Sequence, residues 1–514
     1  MSKTIIIIGA GLAGLSAALQ AAENGCNVKL VSSLPSERAQ SVMAEGGINA
    51  ALNTKDENDS PEEHFTDTIK AACGLADPNA VWGMTQAAPE LVHWLLKLGV
   101  KFNMSGYDDV DLRNFGGQKK KRTAFAQSDT GKQIMTAMID AVRRKEASGM
   151  VERFSHHSFL TLRLCGNICC GCVIRDEYSQ ETVELPGDAV IVATGGMHGL
   201  FGNTTGSLSN TGEVTAELFR LGVPLANGEM IQYHPTTVKC GGKRMLISEA
   251  ARGEGGRLFA MKDGKQWYFM EEKYPELGNL MPRDITAREI WKVSHESEVF
   301  LDMTEISDEI ISNKLSGLAD DCMTYLHKDI RKEPVSVLPG IHYFMGGILV
   351  DEQHRTSIQN LYAAGECCAQ YHGANRLGGN SLLGALYGGR VAAKSACEQA
   401  DVVDLSCATQ IDFPPASQIS EIKQLNKVMQ ETMGVVRNEN TLLNGIQTVQ
   451  ALTGNLPLLG MAVLKSALAR KESRGAHWRE DYPKSNDDDY LKTTVARFDG
   501  KQIQISFVPV PERR

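Results

Sequence analysis

The residues best suited to chemistry in this chain lie between positions 232 and 376. Gln232-Tyr233-His234-Pro235-Thr236 sets a histidine beside a proline, which predicts a turn rather than a helix. Ser248-Glu249-Ala250-Ala251-Arg252-Gly253-Glu254-Gly255-Gly256 holds acids and an arginine among glycines. Pro282-Arg283-Asp284 opens a helix, with Pro282 suited to its first turn. His342-Tyr343-Phe344-Met345-Gly346-Gly347 and His372-Gly373-Ala374-Asn375-Arg376 add two more polar clusters beside glycine. Arginine and histidine in such settings hold carboxylates. No H-x-x-x-H or paired C-x-x-C motif occurs, so no metal site is expected. Without a G-x-S-x-G elbow, hydrolase chemistry has no signal either.

These groups need elements to position them. Residues 5–8 are four consecutive isoleucines, the mark of a strand buried on both faces of a parallel sheet. Gly9-Ala10-Gly11-Leu12-Ala13-Gly14 follows, then helical spacing over 15–23, a stop at Gly25 and a second strand over 28–31. This is a βαβ opening with G-x-G-x-x-G at its turn. Gly9 permits the tight turn, Gly11 lets the backbone approach a pyrophosphate, and Gly14 lets the helix pack on the sheet. The chain therefore reads as a dinucleotide binder. The acid that usually grips the adenosine ribose is absent, and Ser32-Ser33 stand at the strand end. A second strand-to-glycine junction is 189–192 running into Ala193-Thr194-Gly195-Gly196, after a hairpin-like stretch over 160–164 and 173–185. A third, 361–364, runs into Gly365-Glu366, and 382–386 reads as helix. Three strand-to-glycine junctions so far apart imply one discontinuous nucleotide-binding domain with an insertion at about 227–345. Beyond about residue 400 come amphipathic helices over 419–435 and 442–452, a charged stretch over 474–489 and a tail. Beside a nucleotide cofactor, the cationic clusters point to an anionic substrate, most simply a carboxylic acid.

Composition bounds the classes. A chain of 514 residues, 42% hydrophobic and 22% charged, is globular and large enough for two or three domains. Its net charge of -9 argues against a nucleic-acid partner. Twelve cysteines over this length are no disulfide framework and suggest a reducing cytoplasm. The apolar N-terminal run is too short to span a bilayer and is punctuated by Gly9, Gly11 and Gly14, so no membrane segment of its own is expected.

The stretches 38–47 (RAQSVMAEGG), 115–131 (FGGQKKKRTAFAQSDTG), 232–236 (QYHPT) and 248–256 (SEAARGEGG) carry a resemblance. So do 282–284 (PRD), 342–347 (HYFMGG), 361–366 (LYAAGE), 372–382 (HGANRLGGNSL) and 473–483 (SRGAHWREDYP). In this order the chain resembles the flavoprotein subunit of the fumarate reductase and succinate dehydrogenase family, to which L-aspartate oxidase also belongs. The resemblance implies an α/β chain: a discontinuous Rossmann-type FAD-binding domain (1–226 and 346–400), an inserted α+β capping domain (227–345) and a helical C-terminal domain and tail (401–514). It implies FAD with its pyrophosphate on Gly9, Ala10, Gly11, Leu12, Ala13 and Gly14, and Ser32 near the ribose. Ser41, Gly46 and Gly47 would meet the flavin end, with Glu366, Ser381 and Leu382 nearby and Thr194 and Gly195 in the same cofactor set. Glu213 stands where the family has an aspartate. His234, Ser248, His342 and Arg376 would hold the two carboxylates of a four-carbon diacid, beside Phe115. Arg283 would be the proton donor, fed through Glu249 and Arg252. Arginine ordinarily stays protonated, so it would release a proton only as the substrate carbanion forms. Hydride would pass from flavin N5 to one alkene carbon while the other is protonated.

Two departures choose among relatives. Members with covalent flavin place the linking histidine where Gln40 stands, and an amide cannot form that bond, which implies non-covalent FAD and a tilt toward fumarate reduction. L-aspartate oxidases carry a glutamate where Phe115 stands, and a substrate ammonium against that ring would be poorly solvated. Fumarate reduction is thus the expected function, with aspartate oxidation or reduction of another enoate as alternatives. An electron-transfer or assembly flavoprotein with an idle substrate site is the non-enzyme alternative, and the intact Arg283, Glu249 and Arg252 set speaks against it. The resemblance implies an iron–sulfur subunit as electron partner, since relatives of this kind exchange electrons with one and the chain has no cluster or haem motif of its own. The expected location is the cytoplasm, with membrane association through partner subunits. His64, His156, His157, His327 and His354 read as structural or surface residues, and Cys165, Cys169, Cys170 and Cys172 as packing in a hairpin.

Overall fold

The computed structural model describes residues 2–106, 109–401, 413 and 418–514. At its base lies a parallel five-stranded sheet in the order Leu361–Ala363, Ala189–Val192, Thr4–Ile8, Asn27–Ser32, Val151–Ser155. Strand alternation sends the four buried isoleucines to opposite sides. Ile5 and Ile7 join the core beneath the helices Leu12–Glu23 and Asn380–Gln399. Ile6 and Ile8 join the core under an antiparallel meander, His157–Cys165, Ile168–Asp176 and Thr182–Pro186. The hairpin read over 160–185 is thus three strands rather than two, because a turn at 177–181, with Gln180 at φ +62°, breaks the stretch read as one strand over 173–185. Cys169 and Cys172 fill the core between meander and sheet, and burial pushes their thiols well above the usual value. The helix read at 382–386 extends over Asn380–Gln399.

The chain leaves this layer through Leu225–Ala226 and returns through Gly347–Leu349. These strands pair antiparallel, Leu225 opposite Ile348 and Ala226 opposite Gly347. Between them it builds a three-stranded sheet, Lys243–Leu246, Ile231–Cys240 and Leu338–Phe344. A four-stranded sheet follows, Lys265–Trp267, Arg257–Lys262, Val299–Asp302 and Val335–Ser336, over a core that includes Phe269, Met270, Ile290 and Leu301. The helix Arg283–Val293, with Pro282 at its N-cap, packs on the three-stranded sheet.

Helices Ile419–Thr432, Glu439–Val449 and Asn455–Ala469 enclose a further core with Phe201, Phe219 and Phe344. Where the sequence suggested only a tail, Lys492–Phe498 and Ile503–Pro509 form a hairpin. It completes a second five-stranded sheet with Leu225–Ala226, Gly347–Leu349 and Cys368–Ala369. Among the described residues, no helix is long and apolar enough to cross a membrane.

Candidate active site

A cavity of about 910 Å³ is walled by the parallel sheet on one side and the inserted layer on the other. That volume is near the top of the ~300–1,000 Å³ common for ligand pockets. Gly9, Ala10, Gly11, Leu12 and Ala13 line one end. Gly14 does not: a Cβ there would come 1.9 Å from the Gly9 carbonyl oxygen, so this glycine seats the helix against the turn. The helix Leu12–Glu23 has no side-chain cap from Gly11, and the Leu12 N–H donates to Ser41 Oγ at 3.2 Å. Ser32 lines the cavity, and its buried hydroxyl has no partner. Thr194, Gly195 and Glu213 line the same cleft, and burial raises the Glu213 carboxyl above its usual value.

His156 and His157, read from the sequence as structural or surface residues, also line this end. Their signal lay in the sheet register: Ser32 stands beside Ser155, which brings the next two residues to the cavity. Toward the other end come Ser41, Gly46, Gly47, Glu366, Ser381 and Leu382. Glu366 Oε1 accepts from the Phe344 N–H at 3.1 Å. A Cβ on Gly46 would come 2.9 Å from Phe115, so the ring packs flush on this glycine. Gln40 lines the cavity, its side-chain carbonyl accepting from the Ser207 N–H. Glu45 is a further wall residue that sequence reasoning missed. Burial first, and Asp321 second, push its carboxyl up to about 8. A helix N-terminus with no side-chain cap from its own N-cap residue, a glycine-walled turn and an unpartnered Ser32 hydroxyl together fit a flavin dinucleotide.

His234, Ser248, Glu249, Arg283, His342 and Arg376 converge on the same cavity. His234 is on the strand Ile231–Cys240 and not in a turn. The strand survives Pro235 because it bulges there: His234 pairs with Gly340 and Thr237 with Leu338, leaving Pro235 and Thr236 opposite Pro339 alone. A second irregularity pairs Gln232 with Tyr343 and Tyr233 with Ile341, so His342 is the extra residue. The two bulges turn the imidazoles toward each other, with ring centroids 5.1 Å apart. His342 Nδ1 lies 2.7 Å from Thr205 Oγ1 and His234 Nδ1 lies 3.1 Å from the Thr236 carbonyl oxygen. Burial first, and then the Arg283 charge for His234 and the facing His234 ring for His342, holds both imidazoles well below the usual histidine value, so they are neutral near pH 7.

Arg376 stacks on the Tyr343 ring at 4.3 Å and keeps a buried Nε without a partner. Burial and then the Arg283 charge bring its pKa down to about 9. Ser248 Oγ accepts from the Ala250 N–H at 3.4 Å and caps the short helix Glu249–Gly253. Arg283 donates from Nε to Glu249 Oε2 at 2.8 Å and from Nη1 to Gln232 Oε1 at 3.1 Å. Arg252, which does not reach the cavity wall, donates from Nη2 to Glu249 Oε1 at 3.1 Å from behind. Burial alone would raise Glu249, yet the two guanidinium groups hold it below the ordinary carboxylate value. The result is an anion-binding end flanked by a buried Arg–Glu–Arg line.

A family model described as an FAD binding domain matches residues 4–382, and one described as the fumarate reductase flavoprotein C-terminus matches 452–513. The chain is 38% identical to the succinate dehydrogenase flavoprotein subunit of Bacillus subtilis (strain 168), covering 100% of this chain and 98% of that protein. It is 32% identical to the 8-methylmenaquinol:fumarate reductase flavoprotein subunit of Wolinella succinogenes, covering 100% and 92%. Among solved structures, an Escherichia coli quinol fumarate reductase chain superposes with a TM-score of 0.90 at 27% identity, covering 99% and 97%.

Proposed function

The chain belongs to the succinate dehydrogenase and fumarate reductase flavoprotein family, and from that membership we propose that it reduces fumarate to succinate as an FAD-dependent subunit. The observation that carries this reading is the Arg283–Glu249–Arg252 line, which ends on the same cavity wall as His234, Ser248, His342 and Arg376. FAD, when bound, supplies the hydride. The chain's own part is to grip the two carboxylates and deliver the proton. Arg376 offers a cation already desolvated, while the neutral imidazoles and the Ser248 hydroxyl add hydrogen bonds without excess positive charge. Gripping both ends orients the alkene and stabilises the charge that develops as hydride arrives. Arg283 gives its proton to the second alkene carbon and regains one through Glu249 from Arg252. One hydride and one proton added to fumarate make succinate.

Gln40 supports non-covalent flavin, since an amide forms no bond to the ring system. An iron–sulfur protein is the proposed electron partner, and the cap is proposed to span 227–345, between FAD-binding parts 1–226 and 346–400 and a C-terminal domain of 401–514. Aspartate oxidation fits less well, because Phe115, 2% exposed and packed on Gly46, sets an apolar ring against the ammonium group, and the neighbouring Glu249 is already paired with Arg283 and Arg252. The test is anaerobic oxidation of reduced viologen by the purified flavoprotein with fumarate as acceptor. Rapid fumarate-dependent turnover, slow succinate oxidation and no peroxide from aspartate are expected. Bound flavin with fumarate inert would overturn the fumarate assignment and turn the search to other enoates.

A further inference from the structure

Arg244 belongs to none of the groups discussed so far, yet it lines the same cavity. It lies on the hairpin of Ile231–Cys240 and Lys243–Leu246, opposite Lys239. Its Nη1 donates to Thr237 Oγ1 at 2.9 Å, and among the described residues no carboxylate lies within ion-pair distance. Burial pulls its pKa below the usual arginine value, so its charge is partly desolvated and lacks a counter-ion. Its position is fixed by Gly340, where a Cβ would come 2.5 Å from Arg244 Cδ and 2.7 Å from Thr237 Oγ1. Gly340 is the residue paired with His234 and lies two positions before His342. The stem of Arg244 therefore crosses the strand at the place where the two histidines leave it. Its backbone N–H donates to the Thr204 carbonyl oxygen, and the next residue, Thr205, holds His342. Lys239, exposed on the same hairpin and opposite Arg244, adds positive charge beside it in a chain whose net charge is -9.

From this placement we infer that Arg244 is a specificity-determining residue, a cation outside the four-residue grip that captures a carboxylate of the incoming dianion. The inference rests on the diacid reading above. A partly desolvated cation with no counter-ion attracts anions most strongly at low salt. It contributes to encounter and to discrimination against monoanions, while the bond-making step stays with Arg283.

Four measurements on the FAD-loaded protein test this: calorimetric titration with malonate, steady-state fumarate reduction, its dependence on ionic strength, and its preference for fumarate over monomethyl fumarate. Arg244→Gln is expected to weaken malonate binding and lower kcat/KM for fumarate by about tenfold each, with kcat falling less than threefold. Its kcat/KM should also depend less steeply on salt, and the fumarate preference over monomethyl fumarate should shrink. Arg244→Lys keeps the charge and should restore most of the salt dependence, separating capture from a loss of packing. Malonate affinity and kcat/KM within twofold of wild type in Arg244→Gln would overturn the inference alone. A wild-type protein that neither binds malonate nor reduces fumarate would overturn the diacid reading as well.

Discussion

Nε and Nη2 of Arg283 converge on one oxygen of Glu249, at 2.8 and 2.6 Å, so arginine and acid act as one unit. Removing the proton source should cost what positioned acids usually contribute, a factor of about 10²–10⁴. Arg283→Ala is therefore expected to lose fumarate turnover by that factor while retaining flavin, checked by viologen assay and flavin absorbance. Full turnover in that variant would refute the proton-delivery role. Arg376 sets a pH dependence. Its free-enzyme pKa is lowered to about 9, so the cation is present below that pH and lost above it. kcat/KM for fumarate should fall as pH rises through about 9, with no limb from His234 or His342 between pH 6 and 8, because burial already holds both neutral. Residues inside contiguous motifs were legible in the sequence. Arg244, His156 and His157 were not, because what matters about them is which wall they stand on, and that is set by strand pairings far away along the chain; Glu45 lies inside the 38–47 motif, but only the fold shows the burial and the Asp321 charge that raise its carboxyl.

At the scale of elements, the opening strand, turn and helix could be read from a run of isoleucines and three glycines, because period and turn chemistry are local properties. Gly14 exemplifies how little room that unit leaves: a methyl group there meets the Gly9 carbonyl at 1.9 Å. Gly14→Ala should therefore push the helix off the turn, at a cost of about 1–3 kcal/mol. It should also lower both the thermal midpoint and the affinity for FAD, the latter measured by fluorescence titration of the apoprotein. Unaltered FAD affinity would refute the packing account. The strand bearing His234 reads as a turn from the sequence alone. Proline removes a ladder donor, and only the partner strand reveals that a bulge absorbs the loss. The 492–509 hairpin was missed because its strands are read correctly only once Leu225–Ala226 supplies the edge they extend.

At the scale of the whole molecule, that hairpin ties 492–509 to Leu225–Ala226, the strand through which the chain leaves the parallel-sheet layer. Thr494 Oγ1 donates to Glu229 Oε1, and the fully buried Arg470 donates to Thr494 Oγ1 and to the Lys492 carbonyl oxygen. Deleting residues 492–514 would strand Arg470 and Glu229 with missing partners and leave Leu225–Ala226 as an edge strand. The expected outcome is a large fall in thermal midpoint with aggregation, followed by differential scanning fluorimetry and size-exclusion chromatography; an unshifted midpoint would contradict it. The parallel sheet has a temporal consequence as well. Ala189–Val192 receives its outer neighbour, Leu361–Ala363, only after the 168 residues between them, 193–360, have been translated. At about 5–20 residues per second, a nascent chain carries that open hydrogen-bonding edge for on the order of 10–30 s. Throughout that interval the edge can accept a strand from a neighbouring chain, so the half-made protein on the ribosome is a natural client for chaperones that mask β-edges.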